Sequence, residues 1–388
     1  MINLGIFFGG PSVEHEVSVI TAQQAIAQLQ KLDDYHIVPI YIAKDSHWYT
    51  GDYLLNVEHF RDLKAVVANA TRVNMVKSEK CALLINDPIR HFGQNIIAEV
   101  DIAFPMIHGT GGEDGTLQGL LEHMAIPYVG CNVLAASMTM DKVASKLFLQ
   151  TSGIRVVEGE WFYAHHWIAY SDQVLNDIEQ KLTYPMIVKP ADIGSSVGIK
   201  TAKNRRELTN AINFARQFTT RILVERMLSD MREINISVLG DCEQLVLSVC
   251  EEPLTASEIL TYEDKYMSEG GSKGMSASKR QIPATLHPNT LKEIQKMSAE
   301  AFIALDCAGV VRIDFMIEKS TGLPYINEFN TVPGSLAFYL WEATGVTFLE
   351  MLQKAIDAAY RTHRRKTGIT RSNSLNLLSK KDLKGLKK

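Results

Sequence analysis

Ile187-Val188-Lys189-Pro190-Ala191-Asp192-Ile193-Gly194-Ser195-Ser196-Val197-Gly198-Ile199 is the stretch on which the fold reading turns. An apolar run ends on a lysine, passes through a Gly/Ser loop and resumes as a second apolar run. Such a strand–loop–strand sets one ammonium and several backbone N–H groups over a single anion, an arrangement suited to a triphosphate. The spacing Gly-x-x-x-x-Gly-Lys-Ser/Thr is not met, and no Gly-x-Gly-x-x-Gly follows the first apolar run, which argues against a P-loop kinase and a dinucleotide reductase. Taken alone, the stretch fits a Gly-rich hairpin equally well. The rest of the chain has to decide.

Working outward, the next signal is a set of hard oxygen donors on neighbouring apolar runs: Arg312-Ile313-Asp314, then Asn327-Glu328-Phe329-Asn330. Asp314, Glu328 and Asn330 suit magnesium holding nucleotide phosphates better than zinc or copper. Glu328 and Asn330 lie two apart and can share one side of an extended strand end. A surface acid pair is the plain alternative, but these acids sit inside apolar strands, where a carboxylate without a cation is costly.

The chain opens as β-α: a strand over 2–8, a Gly9-Gly10 turn, a helix over 17–30, then strands over 36–43 and 101–107. Strands alternating with helices predict a parallel sheet whose working edge lies at the strand C-termini, where Gly9-Gly10 and His108-Gly109 fall. Residues 45–95 carry little pattern and read as an elaboration of this unit. A helix over 141–151 stops at Ser152-Gly153 and leads to strands at 186–189, 198–201 and 222–225. A further unit has strands at 234–239, 310–317 and 325–328, a polar segment 255–283, and helices after Pro288 and over 335–342 and 348–360. The resulting division is 1–133, 134–226, 227–362 and a tail, 363–388.

Composition excludes several classes. The 388 residues are 46% hydrophobic and 22% charged, ordinary globular material with room for two or three cores. No apolar run reaches the ~18 residues that cross a bilayer, and the start shows no signal-peptide pattern, so a cytoplasmic protein without membrane insertion is expected. Five cysteines without a Cys-x-x-Cys pair read as reduced packing residues. Net charge is −4, yet residues 361–388 hold ten Lys/Arg against one Asp, leaving −13 on residues 1–360. The tail reads as a flexible, solvated terminus, with no nucleic-acid partner.

Seven motifs then occur in one order: Glu14-His15-Glu16-Val17-Ser18; His108 to Gly119; Met140-Asp141-Lys142; Lys189 to Gly198; Tyr262-Glu263-Asp264-Lys265-Tyr266; Arg312-Ile313-Asp314; and Glu328 to Gly334. In this the chain resembles the D-alanine:D-alanine ligase family over roughly residues 3–360. The resemblance implies an α/β ATP-grasp fold, α+β in the later domains, behind an N-terminal parallel-sheet domain. It implies D-alanine and ATP as substrates, two magnesium ions (manganese as a substitute) and a homodimer. By the same resemblance Glu14 receives the ammonium of the first D-amino acid, networked with Ser195 and Tyr266, and His108 and Lys265 lie near the substrates. Lys142, Lys189 and Ser196 match phosphate-binding positions, Glu225 and Leu228 the adenine pocket, and Glu233 the ribose-binding acid. Asp314, Glu328 and Asn330 match the metal ligands, and Arg312 with the Gly334 N–H matches the oxyanion donors. Segment 255–283 matches the closing loop.

One departure stands out. The family has about four more residues between its Pro-Gly and a Ser-Leu pair that binds the second substrate's carboxylate, whereas Ser335-Leu336 follows Gly334 at once. Either that pair still serves with a shifted helix, or the subsite is rebuilt from Phe338, Tyr339 or Trp341, leaving D-serine and D-lactate open as acceptors. Two other classes compete with the dipeptide ligase: another ATP-grasp carboxylate–amine ligase, which need not carry Glu14, and a non-catalytic nucleotide sensor, which need not keep Arg312 and every metal ligand.

Overall fold

β1 (Ile2–Gly9) sends Leu4, Ile6 and Phe8 into one core and Phe7 into another, as a strand with period-two side chains buried on both faces must. The computed structural model describes residues 1–228, 230–254 and 280–370. The expectations for Lys265, Tyr266, most of the closing segment and the end of the basic tail lie outside the described residues. After β1 comes α1 (His15–Leu29), the crossover to β2 (Tyr35–Ile42), which pairs with β1 in parallel.

Residues 45–95 extend this same sheet. β3 (Trp48–Thr50), the short helix α2 (Leu63–Asn69), β4 (Thr71–Lys77), β5 (Ala82–Asn86) and β6 (Ile96–Val100) follow in turn. These strands add antiparallel, and β7 (Ile102–Pro105) returns parallel to β1, giving the order β6-β5-β4-β3-β2-β1-β7. The expected parallel sheet is thus parallel only at β2-β1-β7. Connections as short as 43–47 and 78–81 permit hairpins and not crossovers. On β4 only Val73 and on β6 only Val100 is fully covered, which is why the sequence pattern is faint at those two strands. α3 (Thr116–Met124) covers the Phe7 face with Leu117, Leu121 and Met124.

Next come α4 (Val133–Met140) and α5 (Lys142–Thr151), the latter capped by Asp141, which accepts from the Ala144 N–H at 2.8 Å. The central sheet is antiparallel, ordered β10-β9-β11-β8, from β8 (Gly159–Tyr163), β9 (Met186–Pro190), β10 (Lys200–Ala202) and β11 (Arg221–Arg226). α6 (Ala164–Lys181) and α7 (Arg205–Ala215) close its own core around Val188, Ile212, Ile222 and Val224.

The third sheet, β13-β12-β16-β17, is built from β12 (Met231–Gly240), β13 (Leu245–Leu247), β16 (Gly309–Glu318) and β17 (Pro324–Asn330). A small ribbon, β14 (Glu252–Pro253) with β15 (Arg280–Gln281), flanks the segment outside the described residues. α8 (Pro288–Ala304) packs Ile294, Ala301 and Phe302 on one face of the sheet, with Ala135, Ala136 and Leu149 of α4 and α5 joining that core. The helix expected over 335–342 starts later: Gly334–Ala337 is a tight turn, and α9 (Phe338–Thr344) follows. The last helix, α10 (Phe348–Thr367), runs past the expected end at 360. Its Arg361 donates to Asp241 at 2.7 Å and its Lys366 pairs with Glu122, so part of the basic run belongs to the folded body. α10 also places Phe348, Met351, Leu352 and Ile356 in one continuous core with Leu4, Ile6, Ile26 and Leu29. Among the described residues no helix is long and apolar enough to cross a membrane.

Candidate active site

The central and third sheets meet through lysines. Lys189, near the end of β9, is buried; its Nζ lies 2.7 Å from Glu225 Oε2 and donates to Asn327 Oδ1 of β17 at 3.0 Å. Lys142, first residue of α5, donates to the Ile193 carbonyl at 2.8 Å and stands 3.9 Å from Glu328 Oε2. The Gly/Ser loop, both lysines and the acidic strand end therefore lie together. Lys146, one helical turn beyond Lys142, grips the other oxygen of Glu225. Burial opposes the charge on Glu225, but the two ammoniums override it and hold its carboxyl down at about 2, while burial draws Lys146 down to about 8. Of the remaining expected nucleotide residues, Leu228 packs with Val157 and Tyr325, and Glu233 lies on β12 opposite Met316.

On β16 and β17, Arg312 pairs with Asn330 and Asp314 with Glu328, so all four face one side. Arg312 donates to both oxygens of Asp314 at 2.7 Å, and Asn330 Nδ2 reaches Asp314 Oδ2 at 3.0 Å. Burial works against the guanidinium's charge, and Asp314 more than restores it. Two carboxylates and an amide oxygen on one face fit a hard divalent ion. Among the described residues no cluster of three or more His, Cys, Asp or Glu could hold a metal; an ion at Asp314, Glu328 and Asn330 would need further ligands from phosphate and water.

The other half of the site comes from the first unit. Ser195 and Ser196 both have left-handed backbone (φ 55° and 58°), and the bend lets Ser195 Oγ donate to Glu14 Oε1 at 2.5 Å. Gly109 (φ +70°) lies so near that a Cβ there would meet Glu14 Oε2 at 2.8 Å. His108 is buried; its Nε2 is 3.0 Å from Thr21 Oγ1, which also accepts from the Ser335 N–H at 3.0 Å. Burial lowers the His108 ring to about 4, with Glu14 raising it and Arg312 lowering it, so it is neutral at pH 7. Glu113 accepts from the Gly109 N–H at 3.0 Å and, through its second oxygen, from Thr331 N–H, Thr331 Oγ1 and Val332 N–H at 2.8, 3.0 and 2.9 Å. One carboxylate thus ties the His108 strap to the turn before Gly334.

The shortened segment is absorbed by an unusual turn. Ser335, Leu336 and Ala337 have φ of 51°, 51° and 50°, a left-handed conformation costing non-glycine residues roughly 1–3 kcal/mol each. It is held by the Ser335 N–H on Thr21, by the Leu336 N–H on the Pro333 carbonyl at 2.7 Å, and by burial of Leu336 and Ala337. Of the three aromatic candidates, Trp341 is a core residue with its Nε1 on Ser237 Oγ at 3.1 Å, and Phe338 stacks on Phe348. Tyr339 is the one of the three with charged neighbours: its hydroxyl donates to Glu251 at 2.8 Å and Arg280 lies 4.4 Å over its ring.

Sequence reasoning gave no role to Thr21, Glu113, Lys146 or Asn327. Lys146 was discoverable as the lysine four residues after Lys142, on the same helix face. Glu113 and Asn327 lay inside quoted motifs, but nothing in one dimension shows which backbone groups they meet.

Two antiparallel sheets that hold buried lysines over a strand end rich in acids, behind a sheet-bearing first unit, define the ATP-grasp class of ligase folds. The D-ala D-ala ligase N-terminus profile matches residues 3–131 and the D-ala D-ala ligase C-terminus profile matches residues 148–357. A D-alanine–D-alanine ligase of Thermosipho melanesiensis is 36% identical over 357 residues, 92% of this chain and 93% of that protein. The solved VanG D-Ala:D-Ser ligase of Enterococcus faecalis superposes with a TM-score of 0.77 at 30% identity, covering 92% of this chain and 99% of that one. The D-alanine-D-alanine ligase of Coxiella burnetii gives a TM-score of 0.76 at 26% identity, covering 95% and 96%. This chain belongs to the D-alanine–D-alanine ligase family of ATP-dependent ligases.

Proposed function

We propose that the chain joins two D-alanines in the cytoplasm, with ATP converted to ADP and phosphate through a D-alanyl phosphate, supplying peptidoglycan precursors. The observation that carries the reading is that Lys189 of the central sheet meets Asn327, and Lys142 of α5 meets Glu328, at the same end of the third sheet. A carboxylate is a poor electrophile, and phosphorylating it brings two anions into bonding range. Lys142 and Lys189 offset that repulsion at the phosphates. Asp314, Glu328 and Asn330 are the residues that would hold magnesium, which supplies further charge neutralisation when bound. Glu14, fixed by Ser195, receives the ammonium of the first amino acid. Arg312 and the Gly334 N–H stand for the tetrahedral oxyanion when the second amine attacks, a contribution typically worth a few kcal/mol. The homodimer rests on family resemblance alone.

The left-handed Ser335 turn and the likeness to a solved D-Ala:D-Ser ligase keep one second reading, a D-serine acceptor. Product analysis with D-alanine alone, then with D-alanine plus D-serine or D-lactate, decides. D-alanyl-D-alanine as the main product upholds the proposal; a mixed product replaces the acceptor; ATP consumption with neither pair refutes both.

A further inference from the structure

Thr21 lies on α1 with its side chain wholly buried, and its hydroxyl meets groups from distant parts of the chain. The Ser335 backbone N–H lies 3.0 Å from Thr21 Oγ1, and Oγ1 lies 3.0 Å from His108 Nε2. Counting protons gives these contacts a direction. The Ser335 N–H can only donate, so Oγ1 accepts there and its own hydrogen goes elsewhere. Among the described residues His108 Nε2 is the one acceptor within reach of that hydrogen. A buried hydroxyl hydrogen left without an acceptor is costly, so Nε2 accepts and the neutral ring carries its proton on Nδ1.

We propose that Thr21 is a positioning residue: its hydroxyl fixes His108 as the Nδ1–H tautomer and, at the same atom, pins the left-handed Ser335 turn, so both amino-acid subsites are set from one oxygen. His108 then acts as a neutral hydrogen-bond donor. A role as general base requires an open nitrogen lone pair, and the one on Nε2 is occupied by Thr21. Nδ1 has no hydrogen-bond partner among the described residues, and the charged groups acting on the ring are Glu14 and Arg312. The assignment of the two subsites rests on the ligase reading; the hydrogen-bond chain does not.

The test uses the full chain with nitrogen-15-labelled histidine and two-bond proton–nitrogen correlations, beside steady-state kinetics. The unsubstituted chain and Thr21→Ser should show the Nδ1–H pattern for His108. Thr21→Val, which replaces the hydroxyl by a methyl of similar shape, should lose that pattern. It should also raise KM for the second D-amino acid and lower kcat/KM about tenfold to a hundredfold, with Thr21→Ser recovering most of the loss. An Nε2–H pattern in the unsubstituted chain overturns the proposal, and so does a Thr21→Val chain with unchanged tautomer and KM. Should Thr21→Val not fold, the other two spectra still decide. A chain with the Nδ1–H pattern that makes no dipeptide upholds the relay while refuting the ligase reading.

Discussion

Glu113→Gln would separate what this carboxylate does for the fold from what it does for the site. Burial first, and Glu14 second, push its carboxyl from 4.5 up to about 7 in spite of four donors. A folded-state value above that of an exposed glutamate means that the folded chain prefers the protonated form. The contribution of Glu113 to stability is therefore fully present below 4.5 and lost as pH rises through about 7. That interval corresponds to about 3 kcal/mol, and glutamine, having no charge, does not incur the loss. Relative to the parent, the variant's thermal midpoint should climb by a few degrees as pH rises through this window. The glutamine NH2 must face at least one donor, though, breaking a hydrogen bond to a charged acceptor worth ~1.5–3 kcal/mol and loosening the turn before Gly334. The expected drop in kcat/KM is about tenfold to a hundredfold. Midpoints measured in steps from about pH 4.5 to 8, with ADP release followed near pH 7.5, report both effects. A midpoint difference that ignores pH, or full activity, refutes the reasoning.

Glu328→Gln removes a carboxylate opposite Asp314 and near Lys142; turnover should fall at least ~100-fold with an unchanged circular dichroism spectrum, and near-normal activity would remove its metal role. Glu14→Gln discards the charge that accepts from Ser195, so KM for the first D-alanine should rise about tenfold; an unaltered value counts against ammonium binding there. Lys146→Met strips one of the two ammoniums from buried Glu225 and should destabilise by ~3–5 kcal/mol in denaturant titration, whereas a loss below ~1 kcal/mol would deny that the pair matters.

The parts of the fold legible beforehand are those where chemistry punctuates the chain. β1 and β9 showed as apolar runs ending in Gly-Gly or Lys-Pro, and β16 as an apolar run interrupted by Arg312 and Asp314. Part of the 45–95 stretch was opaque because a strand with few fully covered side chains carries little apolar signal, as β4 shows. The turn at 335–337 was missed because Leu and Ala in left-handed backbone contradict local preference and are held by partners as remote as Thr21. The basic run at 361–366 looked like a tail because its acids, Asp241 and Glu122, are far away in sequence. Thr21 itself was hidden, since a hydroxyl on the inner face of an apolar helix looks like any small packing residue.

The core that joins β1 and α1 to α10 sets an order of events during synthesis. Ile26, Leu29 and their neighbours are translated long before the side chains that cover them, Phe348 to Ala359. A nascent chain must therefore carry a half-covered segment while everything between the two is made, and the two segments seal each other only once α10 is free.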